Sequence, residues 1–274
     1  MNITERIRNR RSVRSFDGND LGEEIKREIL DFANRVETPY EIPIRWQLLD
    51  AKAQGLSCPV ITGTNSFLAG KMQPVPHAEE AFGYAFEQIA LYAVDLGLGT
   101  TCIAGTMDRP AFERAMRLEE GEVMPCITPL GIPAAKMSLR ETMMRKGVKA
   151  DGRLPFEELF FDGGFDKPLT KDRAGELAEV LELVRLAPSA VNKQPWRLVV
   201  GPDTVYFYEK KSKGFTAANG WDIQKVDMGI ALCHFALGLE AKGGKAVFTL
   251  EDPGLTHPGD TAFIAGCRID GVDA

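Results

Sequence analysis

An α+β fold in two similar halves is predicted by two pairs of matching segments in the 274-residue sequence. Residues 26–50 and 174–200 each combine an apolar pattern of helical spacing, a proline-bearing link, and a tryptophan followed by alternating apolar residues. Residues 81–103 and 226–248 form the second pair, in which a helix rich in small apolar residues ends at glycines before a short β-prone run. Because both pairs follow in the same order, we expect a duplicated unit.

The duplication divides the chain into three expected parts. The first half is expected at residues 1–144 and the second half at residues 170–274. The bridge between them, residues 145–169, is charged, glycine-bearing and aromatic, so we expect it to pack along the surface of both halves and not to act as a free linker.

Composition indicates a soluble globular protein. Hydrophobic residues make up 44% of the chain and charged residues 26%, which is ordinary for a folded domain. The formal net charge is −6, and acidic and basic residues are interleaved, so nucleic acid and anionic membranes are not expected partners. Any basic site must therefore be local.

Cysteines and histidines give no support for a disulfide framework or a metal site. The five cysteines are widely spaced and form no C-x-x-C, and the three histidines lie far apart in the sequence.

Targeting and membrane segments are also not expected. The stretch "MNITERIRNRR" lacks the apolar core of a signal peptide, and the most apolar helical stretch is too short to span a bilayer. We therefore expect a cytoplasmic protein without a metal.

The stretch "RNRRSVRSFD", residues 8–17, is the first candidate binding segment. If the chain is extended there, Arg10, Ser12 and Arg14 fall on one face and place two guanidinium groups around a hydroxyl, an arrangement suited to a phosphate. The alternative is a solvated basic helix end, which the segment taken alone favours.

Two further links are candidates for ligand contact. "GLGTTC" at 97–102 follows a helix, not a strand, and lacks the third glycine of the dinucleotide fingerprint, so it is explained as a helix C-cap. "APSAVNKQPW" at 187–196 joins a helical pattern to a strand pattern. It is either a loop that ends a helix or a loop whose backbone and amide groups hold a ligand.

Four segments together are more specific than any one of them. "RRSVRSF", "GLGTTCIAG", "GRLPFEEL" and "APSAVNKQPW", in this order and spacing, resemble the signature segments of the nitroreductase-like FMN-dependent oxidoreductase superfamily. In that family the first three segments belong to one subunit and the last to its partner, with FMN at the homodimer interface. All four lie in one chain here, which is similar to the subgroup with two fused, shortened units.

The resemblance implies a nitroreductase-like fold of two pseudo-symmetric halves, each with a small, mainly antiparallel sheet flanked by helices. It also implies FMN as the cofactor and names no catalytic acid or base. The residues expected to contact FMN are Arg10, Arg11, Ser12, Arg14 and Arg153 at the phosphate and ribityl chain, Pro188, Ser189, Ala190 and Asn192 along the isoalloxazine ring, and Ala104 and Gly105 at the ring edge.

Each half departs from the family pattern in a different way. The first half has "VETPYEIPIRW" where the second has "APSAVNKQPW", and the second half has no Arg-x-Ser-x-Arg. We therefore expect one composite FMN site per chain, for which a monomer is sufficient. Asp151 stands where the family often has a basic residue, which could weaken phosphate binding unless Lys146 or Lys149 compensates.

The reaction implied by the family transfers a hydride from NAD(P)H to the flavin and then reduces a small electrophilic acceptor, such as a nitroaromatic or a quinone. Two alternatives remain open. One is a flavin-binding protein without turnover, since half of the ancestral sites are lost. The other is different flavin chemistry, such as dehalogenation or consumption of the flavin itself.

Overall fold

A computed structural model describes residues 1–216 and 221–271. The chain divides into two compact units: the middle unit, Asn9–Ala150, and the terminal unit, Met1–Arg8 together with Asp151–Ala274. The expected bridge 145–169 is itself divided between the units, because its second part contains a helix and a strand that belong to the terminal unit. The first eight residues, expected in the first half, also belong to the terminal unit.

The middle unit contains a three-stranded antiparallel sheet in the order β1-β2-β3. Its strands are β1 (Arg45–Asp50), β2 (Ser66–Lys71) and β3 (Ile127–Leu130). The first helix, α1 (Ile3–Asn9), crosses the unit boundary, and the helices that follow are α2 (Glu23–Ala33), α3 (Ala51–Gln54), α4 (Ala78–Asp95), α5 (Arg109–Ala115) and α6 (Leu139–Gly147).

The long helix α4 is buried along most of its length, as its small and apolar residues predict. The Phe32 ring of α2 stacks on the Tyr92 ring of α4 with centroids 4.0 Å apart, and Trp46 of β1 contacts Phe82 at 5.1 Å. The β-prone run predicted after α4 makes only isolated bridges, including one between Ile103 and Ile127. This run therefore borders the sheet without adding a full strand.

The terminal unit contains a five-stranded sheet in the order β4-β5-β6-β8-β7. Only the β4–β5 pair is parallel; the other pairs are antiparallel. The strands are β4 (Phe160–Asp162), β5 (Trp196–Val200), β6 (Thr204–Lys210), β7 (Lys245–Thr249) and β8 (Thr261–Asp270), and the helices are α7 (Phe156–Leu159), α8 (Lys171–Ala174), α9 (Leu177–Arg185) and α10 (Ile223–Ala241).

The two faces of this sheet have different neighbours, because successive side chains of a strand point to opposite faces. On the inner face, Phe207 meets Phe235 of α10 edge-on at 5.3 Å. Helix α10 also packs on α9, where a Cβ added to Gly238 would lie 3.1 Å from Val180 Cγ1, so a larger residue there would crowd the helix pair. The outer face carries Arg197 opposite Tyr208.

The predicted α+β class, with helix-flanked and mainly antiparallel sheets, is confirmed. Over residues 1–216 and 221–271, no helix combines the length and apolar character needed to cross a membrane. The same residues contain no group of three or more His, Cys, Asp or Glu side chains that could hold a metal ion.

Candidate cofactor-binding site

The arginine segment of the middle unit is extended after α1. Val13 N–H donates to the Thr100 carbonyl at 2.9 Å, and Ser12 bridges Thr100 in parallel, so this segment runs beside the link that follows α4. The flanking arginines approach different carboxylates. Arg10 Nε lies 3.4 Å from Glu87 Oε1, whereas Arg11 Nη1 lies 3.9 Å from Glu141 Oε1. Arg10 is therefore already engaged by a buried carboxylate of α4.

Arg14 lies in a partly buried cluster of charges around Glu141. Burial lowers the pKa of Arg14, the Glu141 carboxylate raises it, and the guanidinium of Arg145 lowers it again. Arg145 Nη1 also donates to the Ser12 carbonyl at 3.4 Å. Sequence reasoning missed Arg145, which lies in the last turn of α6, and no signal in its own neighbourhood separates it from ordinary helix-end basic residues.

This guanidinium cluster, defined as Arg11, Arg14 and Arg145 around Glu141, gathers three guanidinium groups near one buried carboxylate. Glu141 is 1% exposed, and its backbone N–H donates to the Ser138 hydroxyl at 3.1 Å, so its backbone is fixed in the first turn of α6. Guanidinium groups keep their charge in proteins and present several donors in a rigid fork. The cluster is therefore suited to an anion such as a phosphate.

Ala104 and Gly105 follow the Ile103 bridge in the middle unit. The Ala104 carbonyl accepts from Arg109 Nη2 at 2.6 Å, and Arg109 Nη1 donates to the Met124 carbonyl at 2.6 Å, so Arg109 fixes this turn. A Cβ added at Gly105 would meet no atom within 4 Å. The glycine is therefore not required by packing within the protein and leaves open space beside the backbone.

The polar link of the terminal unit is a tightly turned loop. It passes through a 3-10 turn at Ala190–Asn192 and reaches Trp196 of β5. Val191, Asn192 and Gln194 have φ values of 44°, 59° and 51°, in the left-handed region that residues other than glycine rarely adopt. Such strain persists only where surrounding contacts hold it.

Hydrogen bonds to α10 and within the loop itself stabilise this conformation. Ala190 N–H lies 3.0 Å from each carboxylate oxygen of Asp227 on α10. Gln194 N–H donates to Ser189 Oγ at 2.8 Å, and Asn192 N–H donates to the Ser189 carbonyl at 3.0 Å. Ser189, a predicted FMN contact, therefore also closes the loop.

The loop is also joined to the segment before α7. Asn192 Nδ2 donates to the Gly152 carbonyl at 2.9 Å, and Leu154 N–H donates to Gln194 Oε1 at 2.9 Å. Arg153 Nη2 donates to the Leu186 carbonyl at 3.0 Å. The structure thus joins Asn192 of the predicted loop to the segment that contains Arg153, and Arg153 itself is bonded to Leu186, just before that loop.

Asp227 is the buried acid of this assembly. Burial raises its pKa well above the ordinary value of an aspartate, while the hydrogen bond from Ala190 N–H lowers it and the charges of Asp222 and Glu209 raise it further. Sequence reasoning missed both Asp227 and Gln194. The signal for Asp227 is a carboxylate inside the apolar helical stretch "VDMGIALCHFALGL".

Comparison with known proteins shows what the chain is similar to. Residues 2–239 match a family model described as "Putative TM nitroreductase". A search of curated proteins finds no match. The crystal structure of a "putative nitroreductase" from Thermotoga maritima MSB8 is 22% identical, covers 98% of this chain and 94% of its own, and has a TM-score of 0.64, which shows a shared fold.

Two other solved structures are more distant. Iodotyrosine deiodinase bound to FMN and 3-iodo-L-tyrosine is 16% identical with a TM-score of 0.43, and the match covers 50% of this chain and 92% of that chain. A nitroreductase family protein from Clostridium difficile 630 is 16% identical with a TM-score of 0.45, covering 58% of this chain and 96% of its own. Both are too distant to add to the fold comparison.

Proposed function

Because the chain belongs to the family described as "Putative TM nitroreductase", we propose that it is an FMN-dependent oxidoreductase that passes a hydride from NAD(P)H to a small electrophilic acceptor. The family membership expected from the four sequence segments is confirmed. The acceptor class that we propose is a nitroaromatic or a quinone. FMN, when bound, supplies the hydride chemistry, and the protein supplies binding and orientation.

The guanidinium cluster is the observation that carries this proposal. It sets three guanidinium groups against one buried carboxylate, beside the Ser12 backbone that the resemblance assigns to the cofactor. A near-dianionic phosphate could accept charge-assisted hydrogen bonds from guanidinium groups placed in this way. In the proposal, Arg11, Ser12 and Arg14 hold the phosphate and ribityl chain.

The ring-binding role is proposed for the loop of the terminal unit. Pro188, Ser189, Ala190 and Asn192 stand in a backbone conformation fixed by Asp227 and Gln194, which supports a binding surface that needs little reordering. Arg153 is held against the same loop by its bond to the Leu186 carbonyl. Ala104 and Gly105 are proposed for the ring edge because Gly105 faces open space.

An anaerobic titration tests this function. The purified protein is loaded with FMN, mixed with NADH or NADPH, and followed by the visible absorbance of the flavin; a nitroaromatic or a quinone is then added. We expect the absorbance to bleach with a nicotinamide donor and to recover with the acceptor. Bound flavin that stays oxidised with both donors would instead support a flavin-binding protein without turnover.

A further inference from the structure

A cavity lies on the outer face of the five-stranded sheet, within the terminal unit and away from the helices α9 and α10 of its inner face. Its volume is about 340 Å³, within the usual range of small-molecule pockets. Its lining combines the aromatic side chains of Phe161 and Phe165 with the charged side chains of Glu157, Glu158 and Arg197. None of these residues belongs to the proposed flavin contacts.

The aromatic wall of this cavity is held in place by packing. The Phe161 and Phe165 rings lie 5.0 Å apart and are tilted by 39°. Phe165 in turn meets the fully buried Tyr208 ring edge-on at 5.0 Å. Ring pairs at these separations and angles are typical of stabilising aromatic contacts, so a third ring could join them without rearranging the wall.

Arg197 supplies a cation without a carboxylate partner. Its Nη1 donates to the carbonyls of Gln194 at 3.0 Å and Trp196 at 2.7 Å. Among residues 1–216 and 221–271, no carboxylate lies within 4.0 Å of this guanidinium. Burial lowers the Arg197 pKa, whereas the more distant charges of Glu158 and Asp260 raise it. The remaining N–H groups of the Arg197 guanidinium can therefore donate to the carboxylate of a ligand.

The acidic groups of the cavity make a simple anion a poor occupant. Lys210 is already paired with Asp260, with Nζ and Oδ2 3.7 Å apart. Glu157 and Glu158 make no ion pair within the described part of the chain, so they stand as unbalanced negative charge opposite Arg197. A ligand that carries both signs would satisfy Arg197 and a glutamate together.

We propose that this cavity binds a small aromatic zwitterion of the aromatic α-amino acid class. Its ring packs on Phe161 and Phe165, its carboxylate accepts from Arg197, and its ammonium group faces Glu158. An α-amino acid carries its ammonium and carboxylate groups on the same carbon, which suits Arg197 and Glu158, whose charges interact without forming an ion pair.

Calorimetric titration of the FMN-loaded full chain with L-phenylalanine tests the site. We expect saturable binding of one equivalent. We also expect binding at least about tenfold weaker for 3-phenylpropionate, which lacks the ammonium group, and for phenethylamine, which lacks the carboxylate. Equal binding of all three compounds, or no saturable binding of L-phenylalanine, would overturn the proposal.

Variants separate this cavity from other sites. Arg197→Met is expected to weaken L-phenylalanine binding at least about tenfold, whereas Arg268→Met, at an exposed arginine of β8 that pairs with Asp270, should leave it unchanged. Because Arg197 also supports two loop carbonyls, Glu158→Gln provides a variant at an exposed position. It should weaken L-phenylalanine while sparing 3-phenylpropionate; L-phenylalanine binding that is unaffected by Glu158→Gln contradicts the site.

Discussion

Arg14 holds a permanent charge in a position that water solvates only in part. Its neighbours are one carboxylate, Glu141, and a second cation, Arg145. The Arg145 guanidinium lowers the pKa of Arg14, because like charges repel. A bound phosphate would remove the repulsion and add charge-assisted hydrogen bonds.

Replacement of Arg14 by glutamine is therefore expected to weaken FMN binding by about 1.5–3 kcal/mol, the range for a hydrogen bond to a charged group. Fluorescence titration of the apoprotein with FMN measures this change. Arg114→Gln, at an exposed arginine of α5 in the same unit, is the matched control and should keep the original affinity. Identical affinities for both variants would remove Arg14 from the phosphate site.

Single residues of the candidate site differ in whether the sequence alone could identify them. The arginines after α1 could be singled out because they lie close together in the sequence and match a family segment, and their contact with FMN stays a prediction. Arg145 and Asp227 could not, because each acquires its role from a partner far along the chain: Ser12 for Arg145 and Ala190 for Asp227. A partner that is distant in the sequence leaves no pattern in the residues around Arg145 or Asp227.

At the scale of elements, the loop before β5 depends on helix α10. The loop contains three non-glycine residues with positive φ, and one of its turns is held by the Asp227 carboxylate of that helix. The apolar burial of α10 and the conformation of the loop are therefore linked through one buried acid.

The pH dependence of stability should reveal this acid. Since the folded-state pKa of Asp227 is raised, the folded protein keeps a proton that the unfolded chain releases, so the free energy of unfolding falls as pH rises from about 4 through the raised pKa. The Asp227→Asn variant has no carboxyl group at this position. The free energy of unfolding of this variant should therefore lose the part of its pH dependence that comes from Asp227. Urea unfolding at a series of pH values measures it.

Two controls accompany this measurement. Asp166→Asn, at an exposed aspartate of the same unit, should retain the wild-type slope. Asp227→Leu leaves the Ala190 N–H without its acceptor and should cost about 1–3 kcal/mol. Parallel pH profiles for the wild type and Asp227→Asn would show that Asp227 does not titrate differently in the folded and unfolded states.

Elements with their own periodicity were the ones that sequence could predict. Helices α4 and α10 follow from long runs of small apolar residues, and β5 follows from the alternation after Trp196. Strand β4 could not be predicted within the bridge, because it has three residues and is defined by its parallel pairing with β5. A strand this short has no periodic signal of its own.

At the scale of the whole molecule, the proposed flavin contacts come from both units, and both units belong to one chain. We expect one FMN per chain at saturation and a monomer that binds flavin in dilute solution. Light scattering combined with flavin titration measures both quantities; two FMN per chain, or binding only by a dimer, would contradict this expectation.

Because the terminal unit is built from two separate stretches of the chain, the ribosome synthesises its parts at different times. The rest of the unit that contains Met1–Arg8 begins only at Asp151, so it is made roughly 7–30 s later at about 5–20 residues per second. Strand β8, which lies between β6 and β7, is made last, so the five-stranded sheet cannot close until then. The middle unit, a continuous stretch of the chain, can therefore fold before the strands of the terminal unit have been made.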